Sequence, residues 1–163
     1  TGDVKVGGNY ASSLYSGEQA HAKGFSNVLY LDAVERRYLE ECGAANFFGI
    51  RNNTYITPKS TSILPSITNK SLRQIALDLG MTVEERQVPI EELETFEECG
   101  ACGTAAVISP IGEIFDMQTE KTYRYGSMDE VGETSKKLYN GLQDIQYGRV
   151  EDKHNWTTVI ENI

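Results

Sequence analysis

The chain has 163 residues, with 15 Lys or Arg against 24 Asp or Glu, for a formal net charge of −9. That length suits one domain spanning 1–163 and able to bury about two thirds of its unfolded surface. With 39% hydrophobic residues, 15 Gly and only 4 Pro, the composition excludes a disordered or fibrous chain. The acidic balance argues against nucleic acid as a partner, because phosphate neutralisation needs clustered Lys and Arg. No apolar run approaches the roughly 18–20 residues of a membrane span, and no secretory signal is visible. The sequence opens on Thr1 rather than Met, as expected of a processed start or of a piece of something longer.

In chain order, Asn9 is placed to cap a helix from Tyr10 to Lys23, with Ala11, Leu14, Tyr15 and Glu18 on one face and Gly24 as its stop. Short strands are predicted at Val28–Leu31, Tyr38–Glu40 and Asn46–Ile50, the last turned by Arg51-Asn52-Asn53 into Thr54-Tyr55-Ile56. Such a series favours an antiparallel sheet over repeated βαβ units. Leu72, Ile75, Ala76 and Leu79 fall at helical spacing before Gly80. Met81 to Val88 reads as a strand, and Pro89 leads into a short acidic helix over 90–98 whose carboxylates form a solvated face. A strand is predicted from Thr104 to Ser109, turning at Pro110-Ile111-Gly112 and returning through Glu113-Ile114-Phe115. Ser127 to Glu130 has the capping-box pattern for a helix with Val131, Leu138, Leu142 and Ile145 as its stripe. The polar tail from Tyr147 to Ile163 carries Trp156 as an anchor onto the body. The fold class is α+β, with mostly antiparallel strands and about four helices.

Three cysteines, Cys42, Cys99 and Cys102, are an odd number for a disulfide framework and favour a reducing, cytoplasmic setting. Cys99 and Cys102 have CxxC spacing, read as a tight turn, since a zinc site lacks two further ligands and His21 and His154 read as surface residues; no metal is assigned. Lys5 stands between Val4 and Val6 and before two glycines, a setting able to lower an amine pKa and make a Schiff-base former. Tyr10 follows within a turn. Leu64-Pro65-Ser66-Ile67-Thr68 opens a helix whose first amides form an anion cradle. Gly103-Thr104-Ala105 offers close backbone and a hydroxyl, and Glu41 is an anion suited to a cationic ring nitrogen. Each of these also has an ordinary structural reading.

Taken in order, Lys5 to Tyr10, Glu41 to Phe47, Leu64 to Thr68 and Gly103 to Ala105 resemble the larger, carboxy-terminal domain of the branched-chain amino acid aminotransferases. The resemblance runs over essentially the whole chain and implies the D-amino acid aminotransferase-like fold with pyridoxal phosphate as cofactor. It implies Lys5 as the catalytic amine, Tyr10 on the cofactor's phenolic oxygen, and Glu41 on its pyridine nitrogen. It further implies Ala44 and Leu64 against the ring, and Ile67, Thr68 and Thr104 on the phosphate. Thr104 and Ala105 would meet the substrate carboxylate. The activity implied is exchange of an amino group between leucine, isoleucine or valine and 2-oxoglutarate, so the implied partners are small amino and 2-oxo acids. A homodimer is implied for the full-length enzyme. Relatives carry a smaller upstream domain that is absent from this sequence. Ser66 stands where the family often has glycine, and Ala44-Ala45 replaces bulkier or polar residues. The alternatives are another transaminase or lyase of the same fold, such as one for D-amino acids, and a catalytically inert isolated domain.

Overall fold

The computed structural model describes residues 3–160. Its frame is a seven-stranded sheet built on β3 (Ala45–Arg51), whose one edge pairs throughout with β6 (Glu98–Gly103). The other edge of β3 is shared: β2 (Leu39–Cys42) takes its start and β4 (Thr54–Pro58) its end, so the sheet forks. β1 (Leu29–Leu31) pairs with β2, β7 (Val107–Ile111) with β6, and β5 (Thr82–Arg86) runs parallel to β4. That β4–β5 connection is the one departure from antiparallel pairing among the described residues, and it is made by α3 (Ile67–Asp78), as a parallel crossover requires.

β3 is apolar at consecutive positions because the sheet is covered on both faces. Phe48 faces α3 and α4 (Glu133–Gln146) together with Leu72, Ile75, Cys102, Leu138 and Leu142. Phe47 faces the opposite side with Leu39, Val88, Leu93, Phe96 and Cys99. That side is closed by a 3-10 turn (Ile90–Thr95) and the hairpin of β8 (Glu113–Asp116) and β9 (Lys121–Arg124), whose Tyr123 joins the core. Asn52 and Asn53 both have positive φ, 48° and 56°, which is the two-residue turn that joins β3 to β4 with the twist of the strands.

Several expectations change. The amino-terminal helix is two pieces, α1 (Gly8–Ala11) after Gly7 and α2 (Ser13–Ala22), so Gly7 and not Asn9 precedes it. Leu14 and Tyr15 are exposed, and Ala20 is the buried residue of α2. The acidic segment after Pro89 is a 3-10 turn, and its Glu92 is not solvated: Arg86 grips it with two bonds of 2.7 and 2.8 Å. Thr104 to Ala106 form the loop between β6 and β7, not the start of a strand, and Pro110 and Ile111 lie within β7. β8 pairs with β9 rather than returning along β7. Cys99 and Cys102 sit in strand β6, in opposite core faces, rather than in a turn. Alternation along a strand points residues three apart to opposite sides, and burial pushes the Cys102 thiol up to about 12 and the Cys99 thiol higher still. Leu79 is exposed just beyond α3, where Gly80 takes a positive φ.

α4 begins at Glu133, after Val131, and is not started by a Ser127 capping box; Ser127 Oγ accepts from the Asp129 amide instead. Its end is capped from across the fold. Glu98 of β6 accepts from the Thr134 amide at 2.9 Å, and from the Ser135 amide and hydroxyl at 2.8 and 2.7 Å. Gly132 permits that approach, since a Cβ there would overlap the Glu98 carboxyl. Trp156, expected to anchor the tail, is 40% exposed and stacks on its tail neighbour His154 at 4.5 Å. His154 is half-buried and binds Asp78 at 2.6 Å, rather than standing free on the surface. Residues 161–163 of that tail lie outside the described residues.

Two measurements test this packing. The buried side chain of Asn69 accepts from Tyr55 Oη at 2.9 Å and donates to Thr57 Oγ1 at 3.0 Å. Asn69→Ala leaves both hydroxyls short of a partner and should cost about 2–3 kcal/mol in urea unfolding. Burial alone would raise the Glu98 carboxyl, but the bonds from Ser135 and Thr134 outweigh it and hold the pKa below the ordinary value. A depressed folded pKa contributes stability above the unfolded value of about 4.3 that is lost as pH falls through the folded one. The stability advantage of the parent over Glu98→Gln should therefore be full at pH 7 and shrink steadily between about pH 5 and pH 3.

Candidate functional site

One end of the sheet gathers most of the residues singled out above. The register pairs Glu41 with Asn46 and Asn46 with Cys102, so the β2–β3 turn at Gly43-Ala44 and the β6–β7 loop at Thr104 to Ala106 lie side by side. Gly43 has φ +59°, and a Cβ there would strike the Asn27 side chain that braces the turn. A left-handed first position suits glycine and makes the tight hairpin possible. Ala44, Thr104 and Ala105 are exposed on this rim.

The start of α3 meets the same rim through backbone. The Leu64 amide donates to Glu41 Oε1 at 2.5 Å, while Asn46 Nδ2 donates to the Leu64 carbonyl at 3.1 Å and to Glu41 Oε1 at 3.4 Å. Two residues on, Ser66 caps the helix by accepting from the Asn69 amide at 3.2 Å. Serine at this position therefore serves the helix end directly, a contribution typically of about 1 kcal/mol. The amides of Ile67 and Thr68, which precede Asn69 in the first turn, have no acceptor among the described residues, so the positive end of a twelve-residue helix is left open toward the rim.

Electrostatically, Glu41 is the unusual member. It is half-buried, and burial, with Glu40 nearby, pushes its carboxyl pKa up against the opposing pull of the Leu64 amide. Among the described residues it has no cationic partner. A partly desolvated carboxylate held by the Leu64 amide and, at 3.4 Å, by Asn46 Nδ2, but lacking a cation among the described residues, is an arrangement that a bound cation would complete.

The β6–β7 loop carries strain. Val107, a β-branched residue, has φ +60°, and Ile108 donates to the Ala106 carbonyl at 2.7 Å in a tight three-residue turn. Such backbone is held only where surrounding structure imposes it; here the β6–β7 pairing and the burial of Val107 and Ile108 do so.

Lys5 and Tyr10 stand apart from this network. The Lys5 side chain is exposed and makes no hydrogen bond or ion pair with a described residue, and Tyr10 is half-buried in α1. The segment is tied to the body through Ser16 Oγ and Tyr30 Oη at 2.8 Å and through the Phe25–Phe115 ring stack at 5.8 Å. Among the described residues, no hydrogen bond joins Lys5 or Tyr10 to Glu41, Leu64 or the α3 tip. A groove of about 500 Å³ lined by Ile67, Gln74, Leu142, Ile145 and Trp156 runs along the flank of α3 toward the tail, and apart from Ile67 none of the singled-out site residues lines it.

Asn46 and Asn69 were not among the residues assigned to the site. Asn69 had a signal: it falls three residues before Leu72 and seven before Ala76, a polar residue on the buried stripe of α3. Asn46 had a weaker one, a polar residue opening the apolar run Phe47-Phe48.

Known proteins share this fold and sequence. Residues 3–114 match the family model described as amino-transferase class IV. The branched-chain-amino-acid aminotransferase of Haemophilus influenzae is 48% identical over 99% of this chain and 48% of its own length. That of Helicobacter pylori is also 48% identical, over 96% of this chain and 45% of its own. The chain thus spans about half the length of the curated relatives it matches. The solved branched-chain amino acid aminotransferase of Escherichia coli superposes with a TM-score of 0.83 at 30% identity, covering 96% of this chain and 49% of that one. A second solved branched-chain amino acid aminotransferase, in complex with N-(5'-phosphopyridoxyl)-L-glutamate, superposes with a TM-score of 0.81 at 29% identity, covering 96% of this chain and 50% of that one.

The raised Glu41 pKa has a consequence for stability. A carboxyl whose folded pKa lies above its unfolded value destabilises the native state as pH rises between the two, because the unfolded chain ionises first. Glu41→Gln keeps an acceptor for the Leu64 amide and removes the charge. It should unfold at a higher urea concentration than the parent at pH 7, with the difference vanishing near about pH 4, where the unfolded carboxyl also holds its proton.

Proposed function

The chain belongs to the class IV aminotransferases, and from that premise we propose that it is the cofactor-holding domain, 1–163, of a pyridoxal phosphate-dependent branched-chain amino acid aminotransferase. The activity of the whole enzyme is exchange of the amino group between leucine, isoleucine or valine and 2-oxoglutarate, carried out in the cytoplasm by a homodimer. The observation that carries this reading is the pairing on one rim of a partly desolvated, cation-free carboxylate with an open helix tip, joined through Leu64. These two features call for a ligand with a cationic ring nitrogen at one end and a phosphate at the other. Pyridoxal phosphate fits that donor set.

When bound, the cofactor supplies an aldehyde for attachment and a ring that withdraws electron density from the substrate α-carbon. The rest is the work of this chain. Glu41 holds the proton on the ring nitrogen, which keeps the ring electron-poor. The Ile67 and Thr68 amides, with the Thr104 hydroxyl, bind the phosphate. Leu64 and the Ala44 turn would confine the ring, and Tyr10 would orient it by hydrogen-bonding the ring's phenolic oxygen. Lys5 would provide the amine that holds the cofactor's aldehyde, and its Nζ would be the group that moves a proton at the substrate α-carbon. The Thr104 and Ala105 amides orient the substrate carboxylate.

The test is direct. Pyridoxal phosphate added to the chain should give a visible absorbance that borohydride bleaches and fixes as a mass increase on Lys5. Lys5→Ala should abolish that adduct without altering the circular dichroism. A folded parent that forms no reducible adduct would reject the reading.

A further inference from the structure

Asn46 is 6% exposed and is the second residue of β3, paired with Glu41 on one side and Cys102 on the other. Its amide nitrogen lies between two acceptors that belong to different parts of the fold: Glu41 Oε1 on β2 and the carbonyl of Leu64 in the segment before α3. The Leu64 amide closes the ring of contacts by donating to the same Glu41 oxygen. A carboxylate on a two-residue hairpin and a loop eighteen residues downstream of Asn46 have no covalent reason to hold a fixed spacing. The buried amide supplies one.

We propose that Asn46 is a positioning residue, whose side chain locks the Glu41 carboxylate to the Leu64 segment and so sets the distance between the site's anion and the open tip of α3. The inference rests on the reading of those two features as the ends of one cofactor site. Leu64 is followed by Pro65 and by Ser66, the cap of α3, so few backbone torsions separate the locked carbonyl from the Ile67 and Thr68 amides. Proline removes one of those torsions by fixing its own φ. The far side of the same helix turn is held by Asn69 on Tyr55 and Thr57. The tip is therefore pinned at two points, and Asn46 is the one that also touches the site's anion. At 3.4 Å the bond to Glu41 is long, and the 3.1 Å bond to Leu64 is the stronger constraint. Asn46 thus acts on Glu41 mainly by holding Leu64 in place.

The experiment compares the parent with Asn46→Leu, which keeps the branched shape at somewhat larger volume and removes the donor. Two readings are taken: the titration midpoint of Glu41 in the cofactor-free chain, by carboxyl carbon NMR with Glu41→Gln as the assignment control, and the dissociation constant for pyridoxal phosphate. The expected result is a higher Glu41 midpoint together with about tenfold weaker cofactor binding, the size of effect that follows losing a buried hydrogen bond. An unchanged midpoint in a variant with parental circular dichroism overturns the proposal, as does a shifted midpoint with parental cofactor affinity. Should Asn46→Leu fail to fold, Asn46→Ser, too short to reach both acceptors, is held to the same criteria. If the parent takes up no cofactor while the Glu41 midpoint still moves, the cofactor reading fails but the hold of Asn46 on the carboxylate is supported.

Discussion

Asn69 lies in the first turn of α3, yet its side chain faces the core, where it joins the hydroxyls of Tyr55 and Thr57, while Thr57 in turn donates to the Phe47 carbonyl at 2.8 Å. This chain of bonds runs from the helix through β4 to the central strand, in a place where an unmet polar group is costly. It fixes the first turn of α3 against the sheet more narrowly than apolar packing could, since hydrogen bonds have direction and dispersion contacts do not. The open amides of Ile67 and Thr68 and the cap at Ser66 follow from where that turn is held, while Leu64 before it is held separately by Asn46 and Glu41.

Long-range polar contacts of this kind recur at the ends of both large helices. α3 is capped locally by Ser66, but α4 takes its cap from Glu98, thirty-six residues upstream on β6. The first turn of α3 is docked to the sheet by the Asn69 side chain on Tyr55 and Thr57, and that of α4 by Glu98, whose carboxylate meets the Thr134 and Ser135 amides. The difference is in what remains open. Glu98 fills the tip of α4, whereas Ser66 satisfies only the Asn69 amide and leaves two donors of α3 facing the rim. Among the described residues, the tip of α4 is thus filled by a carboxylate and that of α3 is capped at one amide.

Glu41 expresses the same division. Its burial makes the ionised form unfavourable, and the fold offers it an amide but, among the described residues, no cation. A group chosen for stability alone would be paired or solvent-exposed. The strained Val107 beside the Thr104 loop belongs to the same pattern, in which a local rule gives way next to the rim.

The sequence by itself determined β1 to β5 and most of the α3 and α4 stripes, because apolar periodicity and turn chemistry are local quantities. Leu72, Ile75 and Ala76 announce their face within one helix, and Asn52-Asn53 announces its hairpin. It misplaced the boundaries around Thr104, the Cys99–Cys102 segment and the start of α4. There the deciding partners are distant in the chain: β3 draws Cys99 and Cys102 into a strand, and Glu98 starts α4 at a point that the local Ser127 pattern contradicts. The coupling of Glu41, Asn46 and Leu64 was likewise settled only by tertiary structure, because a hydrogen bond between a hairpin and a later loop depends on strand register, which no local stretch of residues encodes.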